Sequence, residues 1–297
     1  MLMKGIKFIS SNKKIMLSYL NQVINIKEKK PILYDAIYNK NSIKKPVIIL
    51  CHGYMGFKDW GAWGLVGEEF SKNNYFFVKF NFSHNGGTMK QPIDFPDLDS
   101  FANNNFSHEL DDIDRVIEHL KHSERYSQDL DFENISLIGH SRGAGSVLIK
   151  ASEDRRVKKV ITWAGVSDFK IRFQEGGPEF NKWKNEGVIY AENSRTKQFM
   201  PHFFQLFEDF KKNESRLNIK SAVENLEIPY LVIHGSNDTS VLPIEGEKLF
   251  SWNQKNKIER IEGSDHVFFS KHPWDSDKLP EDLNKVVYLS IDFLNSN

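Results

Sequence analysis

Five short segments of the chain are almost continuously apolar and rich in β-branched or aromatic residues. Unbroken apolar runs of four or five residues are typical of strands that are buried on both faces of a sheet. The runs are Val47–Cys51, Phe76–Phe80, Ile135–Ile138, Val160–Trp163 and Tyr230–Ile233. Helical patterns separate several of them, and this alternation predicts an α/β fold with a mostly parallel central sheet and helices on both faces.

The clearest helical pattern follows the second of these runs. Apolar residues recur there at helical spacing, with charged residues on the other positions. The apolar positions are Leu110, Ile113, Ile117 and Leu120. We expect Ser107 to be the N-cap of this helix, because a serine side chain can accept a hydrogen bond from a free backbone N–H of the first turn.

The first forty residues have a different pattern. Short β-like runs, Ile6–Ile9, Ile15–Leu20 and Ile32–Tyr38, are separated by polar and lysine-rich segments. They predict antiparallel strands at the edge of the sheet.

The spacing between the last two central strands is too long for a simple crossover. About 64 residues separate Ala164 from Tyr230, whereas one crossover helix needs a dozen or so. We therefore predict an α/β core domain formed by residues 1–167 and 223–297, with residues 168–222 inserted as a cap. Within the cap, apolar residues recur at helical spacing and predict a helix, with packing favoured over substrate contact. They are Phe199, Phe203, Leu206, Phe207 and Phe210.

Composition excludes several classes of protein. Forty Lys and Arg balance forty Asp and Glu, so the chain has no net charge that would attract nucleic acid or an anionic membrane surface. The only cysteine, Cys51, cannot form an internal disulfide or a multi-cysteine metal site. We see no signal peptide and no apolar stretch near the ~20 residues that span a bilayer, and we expect a cytoplasmic protein. The oligomeric state stays open, with a homodimer as one option.

The sequence Gly139-His-Ser141-Arg-Gly143 directly follows one apolar strand run and precedes a small-residue helix start. A G-x-S-x-G sequence between a strand and a helix is typical of a nucleophile elbow, a sharp turn that exposes the serine hydroxyl. The flanking glycines are needed where neighbouring backbone leaves no room for a Cβ. Ser141 is therefore the candidate nucleophile.

A serine hydroxyl needs a base to accept its proton and a carboxylate to orient that base. His266 lies on a loop before the last predicted helix and is the candidate base. Asp238 follows the end of the strand run at Tyr230 and is the preferred carboxylate, since α/β sites form at the carboxyl ends of strands. Asp168 and Asp265 are the alternatives, and Asp265 is too close along the backbone to orient the neighbouring ring easily.

The oxyanion that forms during acyl transfer needs two backbone N–H donors. We assign them to Arg142, which follows the nucleophile, and to Tyr54, in the loop after the first central strand, where Gly53 lets the chain turn back. The Tyr54 side chain is also a candidate wall of the acyl pocket. His52 is interpreted as a structural hydrogen-bonding residue and Cys51 as a small buried core residue.

Over nearly its whole length the chain resembles the α/β-hydrolase superfamily, and more narrowly bacterial serine hydrolases similar to dienelactone hydrolases and cinnamoyl (feruloyl) esterases. The matching segments, in chain order, are Val47–Tyr54, Gly56–Trp60, Phe80–Gly86, Gly139–Gly143, Gly235–Asp238 and Asp265-His266. Dienelactone hydrolases proper have a cysteine nucleophile, and the serine at position 141 argues against dienelactone cleavage. The resemblance implies a cap over the active site, and His272-Pro-Trp274 is expected to have a packing role only.

These observations together predict a serine hydrolase of carboxylic esters that uses an acyl-enzyme intermediate. Short-chain acyl and hydroxycinnamoyl esters are the substrates considered, and a serine peptidase or acyl-transferase is the alternative. No cofactor or metal is implied, because His119 and His122 lack a third ligand and are interpreted as a solvated helix face. A non-catalytic binding protein is disfavoured, since all three catalytic positions are filled.

Overall fold

The computed structural model describes residues 15–296, and eight of its strands form one sheet. The eight strands are β1 (Ile15–Ile24), β2 (Ile32–Lys40), β3 (Lys45–Cys51), β4 (Phe76–Phe80), β5 (Leu130–His140), β6 (Val157–Trp163), β9 (Tyr230–Gly235) and β10 (Lys257–Ile261). Their order across the sheet is β1-β2-β4-β3-β5-β6-β9-β10. The last six strands in this order are parallel, whereas β1 and β2 pair antiparallel with each other and β2 pairs antiparallel with β4. A separate antiparallel hairpin is formed by β7 (Val188–Glu192) and β8 (Phe199–Phe203).

Helices cover both faces of the sheet, and each face has its own apolar cluster. The helices are α1 (Trp63–Lys72), α2 (Leu98–Ala102), α3 (Phe106–His122), α4 (Arg142–Glu153), α5 (Pro178–Glu186), α6 (Gln205–Lys212), α7 (Ile219–Glu224), α8 (Pro243–Ser251) and α9 (Glu281–Asn295). The apolar side chains of α1 and α9 pack on one face of the sheet, and those of α3, α4 and the segment after β6 pack on the other. The predicted α/β architecture is confirmed.

The predicted edge strands are also present. Tyr38 pairs with Leu17 in the antiparallel β1–β2 ladder, and β1 forms the outer edge of the sheet. The run Ile6–Ile9 lies outside the described residues. None of the helices within residues 15–296 combines the length and apolar character that crossing a bilayer requires.

The predicted start of α3 was wrong by two residues. The side chain of Asn105 accepts a hydrogen bond from the backbone N–H of His108 at 2.8 Å, so Asn105 is the N-cap. Ser107 already lies within the first turn, and its N–H donates to the Asp209 carboxylate of α6. Asparagine and serine are both good N-caps, so residue type alone did not distinguish the two positions.

The cap segment contains a hairpin where a single helix was predicted. Phe199 and Phe203 lie on β8, and the helix α6 begins only at Gln205. Phe207 and Phe210 of α6 are buried in an aromatic cluster, as the packing interpretation expects, whereas Phe199 is exposed. The pattern was misread because the strand β7, which pairs with β8, lies outside the window over which periodicity is judged.

The downstream end of the predicted cap falls inside α7. The Ile219 side chain of this helix is packed against α4 so closely that a Cβ on Gly145 would lie 2.7 Å from its terminal carbon. The helix that leads back to the core therefore packs beside the helix that follows Ser141.

Candidate active site

Ser141 is the residue between β5 and α4, and its backbone has φ 56° and ψ −121°. A non-glycine residue at positive φ is strained, and the surrounding turn leaves little room for it to relax. A Cβ on Gly139 would lie 2.5 Å from the Gly143 carbonyl oxygen, and one on Gly143 would lie 2.5 Å from the His52 carbonyl oxygen. These two glycines therefore allow the sharp turn that lifts the Ser141 side chain clear of the backbone.

The three predicted catalytic side chains form a continuous hydrogen-bonded chain. His266 Nε2 lies 3.0 Å from Ser141 Oγ, and His266 Nδ1 lies 2.8 Å from Asp238 Oδ2. Since an ionised carboxylate can only accept, the proton on this ring resides on Nδ1, and Nε2 is left free to accept a proton from the serine. The arrangement is that of a nucleophile, a general base and an orienting acid.

Asp238 is held in its ionised form although its side chain is fully buried. Burial alone raises the pKa of this carboxyl, but hydrogen bonds from His234 and His266 outweigh it and hold the pKa well below its usual range. The other oxygen, Oδ1, accepts the backbone N–H groups of Ser240 and Val241 at 2.8 and 2.9 Å. These contacts leave Asp238 negatively charged and fixed in place beneath His266.

The two alternative carboxylates have other partners. Asp168 is exposed and accepts the N–H of Lys170, two residues along the chain. Asp265 accepts the N–H groups of Val267 and Phe269 and so closes the turn that carries His266. Neither is hydrogen-bonded to the His266 ring.

His52 fixes the direction of the peptide group that joins Gly53 to Tyr54. Its Nε2 accepts the N–H of Phe82 at 3.2 Å, so the proton of this neutral ring is on Nδ1, which lies 2.9 Å from the Gly53 carbonyl oxygen and donates to it. Burial lowers the pKa of His52 to about 4 and keeps the ring neutral. In a trans peptide the N–H points opposite to the carbonyl, so the Tyr54 N–H is directed away from His52.

The second predicted donor is the N–H of Arg142, the first residue of α4. Backbone N–H groups at the start of a helix have no partner within the helix. Within residues 15–296 neither this N–H nor that of Tyr54 donates a hydrogen bond to the protein. A Cβ on Gly53 would lie 3.2 Å from Ser141 Oγ, which places the Tyr54 peptide beside the nucleophile. Both candidate oxyanion donors are thus free and adjacent to Ser141.

The side chains of the two donor residues form one cluster. The Arg142 guanidinium lies over the Tyr54 ring at 5.3 Å and forms an ion pair with Glu109 of α3. Glu109 is only 1% exposed, and it also accepts hydrogen bonds from Ser146 Oγ and from Asn104. A buried carboxylate is tolerated only where a cation and hydrogen bonds compensate its charge, so this pairing fixes Arg142.

The cap contacts the same cluster through one histidine. His202 of β8 lies with Nε2 2.7 Å from the hydroxyl of Tyr54. Burial lowers the pKa of His202 to about 4, so its ring is neutral at pH 7. The loop that carries one oxyanion donor is therefore joined directly to the hairpin of the cap.

Sequence reasoning missed three residues of this site: Glu109, His140 and His202. His140 Nε2 lies 2.9 Å from the backbone carbonyl of His266 and its buried ring packs against the His266 ring, which helps to place the base. A histidine inside the G-x-S-x-G sequence was a visible signal for His140. The helical pattern of α3 placed Glu109 among the charged residues on its polar side, so the sequence did not single it out. No sequence signal pointed to His202.

The remaining predicted residues have structural surroundings. Cys51 is buried, and burial raises the pKa of its thiol well above the usual value. His119 is not on a solvated face as predicted, because its Nε2 lies 2.9 Å from the hydroxyl of Tyr34, while His122 is exposed beside Glu118. Among residues 15–296 no group of three or more His, Cys, Asp or Glu side chains is arranged to hold a metal ion. His272 accepts the N–H of Gly61.

The chain has the α/β-hydrolase fold. Three features define this fold: the order of the strands in the sheet, the strand-turn-helix that carries Ser141, and the positions of Asp238 and His266 after later strands. Solved structures with it include Est1E from Butyrivibrio proteoclasticus with bound ferulic acid, at a TM-score of 0.69 and 17% identity over 92% of this chain and 97% of that one. A dienelactone hydrolase from Anabaena variabilis has a TM-score of 0.61 at 13% identity, covering 94% of this chain and 96% of that one.

A third similar structure is a puromycin-hydrolyzing peptidase from Mycobacterium tuberculosis, with a TM-score of 0.60 at 14% identity. The matched region covers 89% of this chain but only 37% of the peptidase, so the similarity is confined to one part of that protein. No protein-family model matches the sequence, and no curated protein sequence matches it. At these identities the structural likeness establishes the fold alone.

Proposed function

We propose that the protein is a serine hydrolase that cleaves carboxylic esters through an acyl-enzyme intermediate. The observation that carries the proposal is the hydrogen-bonded chain from Ser141 Oγ through His266 to the buried Asp238, on a strained turn beside two free N–H groups. A buried and ionised aspartate, paired with a histidine that contacts a half-buried serine, has no comparable structural purpose. The strain at Ser141 supports the same conclusion, because strained backbone is concentrated at functional sites.

In the first half of the proposed cycle Ser141 Oγ attacks the ester carbonyl carbon. As the C–O bond forms, His266 Nε2 takes the hydroxyl proton, and Asp238 stabilises the positive charge that develops on the ring. The carbonyl oxygen becomes negatively charged and accepts hydrogen bonds from the N–H groups of Tyr54 and Arg142. His266 then gives its proton to the leaving alcohol as the ester C–O bond breaks, and the acyl group stays on Ser141.

In the second half water replaces the alcohol. His266 Nε2 accepts a proton from the water as its oxygen attacks the acyl carbon, and the same two N–H groups stabilise the second oxyanion. The bond to Ser141 Oγ then breaks and the proton returns to the serine, which releases the carboxylic acid. Every proton transfer is made by His266, so the proposed cycle needs no cofactor.

Esters of short acyl chains and hydroxycinnamoyl esters are the proposed substrates. The net charge of zero supports an uncharged substrate, because no long-range field would concentrate a charged one. Hydroxycinnamates are included because the sequence resembles feruloyl esterases and because the similar Est1E structure holds ferulic acid. A peptidase or an acyl-transferase would use the same acyl-enzyme, so the substrate panel below includes their substrates.

The proposal is tested with p-nitrophenyl acetate and butyrate on the wild type and on Ser141→Ala. Loss of the nucleophile should lower kcat by at least about 10⁴-fold while the protein stays folded. Ser127→Ala is the matched control, because this serine is exposed and its hydroxyl, among residues 15–296, is hydrogen-bonded only to the carbonyl of Glu124. A folded Ser141→Ala protein with wild-type turnover, or failure of a fluorophosphonate to label Ser141, would refute the proposal.

A panel of esters, thioesters and aminoacyl amides distinguishes the related activities. We expect ester hydrolysis to have the highest kcat/KM, with acyl chain length and methyl ferulate defining the preferred acyl group. Preference for aminoacyl amides would favour the peptidase alternative, and acyl transfer to an added alcohol in place of water would favour the acyl-transferase.

A further inference from the structure

A small cavity adjoins the candidate oxyanion loop. Its apolar wall is formed by Met55, Phe82 and Phe101, and its polar wall includes Asn104 and Arg142. Gly53 of the oxyanion loop also lines it, so the cavity reaches the neighbourhood of Ser141. In this structure it has room for about one water molecule.

One atom in the polar wall lacks a partner. Asn104 is only 9% exposed, and its side-chain Oδ1 is buried with no hydrogen bond from residues 15–296. Its Nδ2 donates to Glu109 Oε1 at 2.9 Å. Since an ionised carboxylate can only accept, the side-chain amide cannot exchange its Oδ1 and Nδ2 positions to give Oδ1 a partner. A buried acceptor without a donor costs about 1–3 kcal/mol, so the site favours a ligand that brings a donor.

The backbone of Asn104 is held from two sides. The backbone carbonyl of Asn104 accepts a hydrogen bond from Gln205 Nε2 of the cap at 2.9 Å, and its N–H donates to the carbonyl of Phe101 at 3.2 Å. The segment between α2 and α3 is therefore docked on the cap, which limits how far Asn104 can move to find another partner.

Arg142, which also lines the cavity, has donors to spare. Only its Nη2 has a side-chain partner, Glu109, among the described residues, so its other N–H groups are free to donate. A ligand that satisfies both walls must donate to Asn104 Oδ1 and accept from Arg142. A hydroxyl group does both, whereas a carboxylate has no proton to donate and would be repelled by the Glu109 carboxylate beside it.

The position of the cavity decides which part of an ester would occupy it. The leaving alcohol must lie near His266 Nε2, which gives it a proton. No residue of the loop that carries His266 lines the cavity. The cavity therefore lies on the acyl side of the reacting carbonyl, close to the oxyanion loop at Gly53.

We propose that Asn104 and Arg142 form a hydroxyl-binding subsite for the acyl group, and that the preferred substrates are short esters with a hydroxyl group at the second or third acyl carbon. The inference rests on the proposed esterase function and narrows its substrate class. Asn104 would accept the substrate hydroxyl proton, and the free N–H groups of Arg142 would donate to its oxygen. Since the cavity has room for about one water molecule, the hydroxyl group alone would occupy it, and the rest of the short chain would lie outside.

The first test uses only the wild-type protein. It compares kcat/KM for pairs of p-nitrophenyl esters in which a hydroxyl group on the acyl chain of one member is replaced by a methyl group in the other. The pairs are 3-hydroxybutanoate with 3-methylbutanoate, and 2-hydroxypropanoate with 2-methylpropanoate. We expect kcat/KM to favour the hydroxyl member of at least one pair by about 10-fold, the worth of one buried hydrogen bond. Equal rates or a preference for methyl in both pairs would overturn the inference, and would show that water alone satisfies Asn104.

The second test assigns the preference to Asn104. Asn104→Leu should reduce the hydroxyl-to-methyl ratio of kcat/KM to about one. The matched control is Asn103→Leu in the same turn, where the wild-type side chain is hydrogen-bonded, among residues 15–296, only to Asp99. This control should keep the wild-type ratio. A ratio that survives in folded Asn104→Leu would overturn the assignment. The esterase proposal is judged separately by loss of butyrate hydrolysis in Ser141→Ala, so the failure of one does not imply the failure of the other.

Discussion

Gly53 offers a direct test of the proposed oxyanion hole, because a single methyl group added there must move the Tyr54 donor. A Cβ at position 53 would lie 2.7 Å from Ser141 Cβ and 3.1 Å from the His140 carbonyl oxygen. Contacts shorter than 3.0 Å are not tolerated, and both neighbours belong to the rigid turn of the nucleophile. We therefore expect the Gly53–Tyr54 peptide to shift by about 0.7 Å, the distance needed to restore an ordinary contact.

The magnitude follows from hydrogen-bond geometry. A donor that begins at about 2.9 Å from the oxyanion would end near 3.6 Å, beyond hydrogen-bonding distance. Loss of one oxyanion donor costs about 10²–10³ in kcat. Gly53→Ala should therefore lower kcat by about 10²-fold with little change in KM, because the oxyanion exists only in the transition state and the intermediate.

The control is Gly64→Ala in the exposed part of α1. A Cβ there meets nothing within 4 Å, and alanine is the better helix former. Gly64→Ala should keep wild-type kcat and raise the free energy of unfolding by about 0.5–1 kcal/mol. Steady-state kinetics on p-nitrophenyl butyrate and urea denaturation measure both quantities. Wild-type kcat in Gly53→Ala, or a loss explained entirely by unfolding, would refute the placement of the donor.

Two further predictions concern stability. His52 and His140 are buried, and burial lowers their pKa to about 4 and about 3, below the 6.5 of an exposed histidine. Below pH 6.5 the unfolded chain therefore binds more protons than the folded protein does. Each of the two histidines should lower the free energy of unfolding by up to about 1.4 kcal/mol per pH unit as the pH falls from 6.5 to 4. Urea midpoints that stay constant from pH 7 to 5 would contradict this. Arg142→Met should cost about 3–5 kcal/mol because it leaves Glu109 buried without its cation, and adding Glu109→Gln should recover part of the loss. Urea denaturation of the wild type, the single variant and the double variant measures this, and a cost below about 1 kcal/mol for Arg142→Met would show that the pair is not coupled to folding.

The part of the site that lies on one continuous piece of chain was predictable. Ser141 sits between a strand and a helix, and Gly139 is required by its contact with the backbone of Gly143, four residues along, so the local sequence carries this signal. Gly143, in contrast, is required by the backbone of Cys51 and His52, which only the folded sheet brings close. Asp238 and His266 were predictable for a related reason, because loops at the carboxyl ends of parallel strands meet at one edge of the sheet.

The cap was less predictable. The choice between helix and strand for Phe199–Phe203 depended on pairing with Val188–Glu192, which the spacing of the phenylalanines does not express. The N-cap of α3 was likewise misplaced, because Asn105 and Ser107 are both residue types that favour this position.

The sequence by itself determined the α/β sheet, the sharp turn at Ser141 and the order of the candidate acid and base, because apolar runs and a G-x-S-x-G sequence between a strand and a helix are visible within short stretches of chain. Only the tertiary structure decided that Glu109 neutralises Arg142, that His202 of the cap reaches Tyr54, and that Asn104 is left with an unpaired acceptor. These contacts join residues up to 148 positions apart. Such pairs are set by how the cap and helices pack on the sheet, and a buried polar atom is satisfied or left unsatisfied only when that packing is complete.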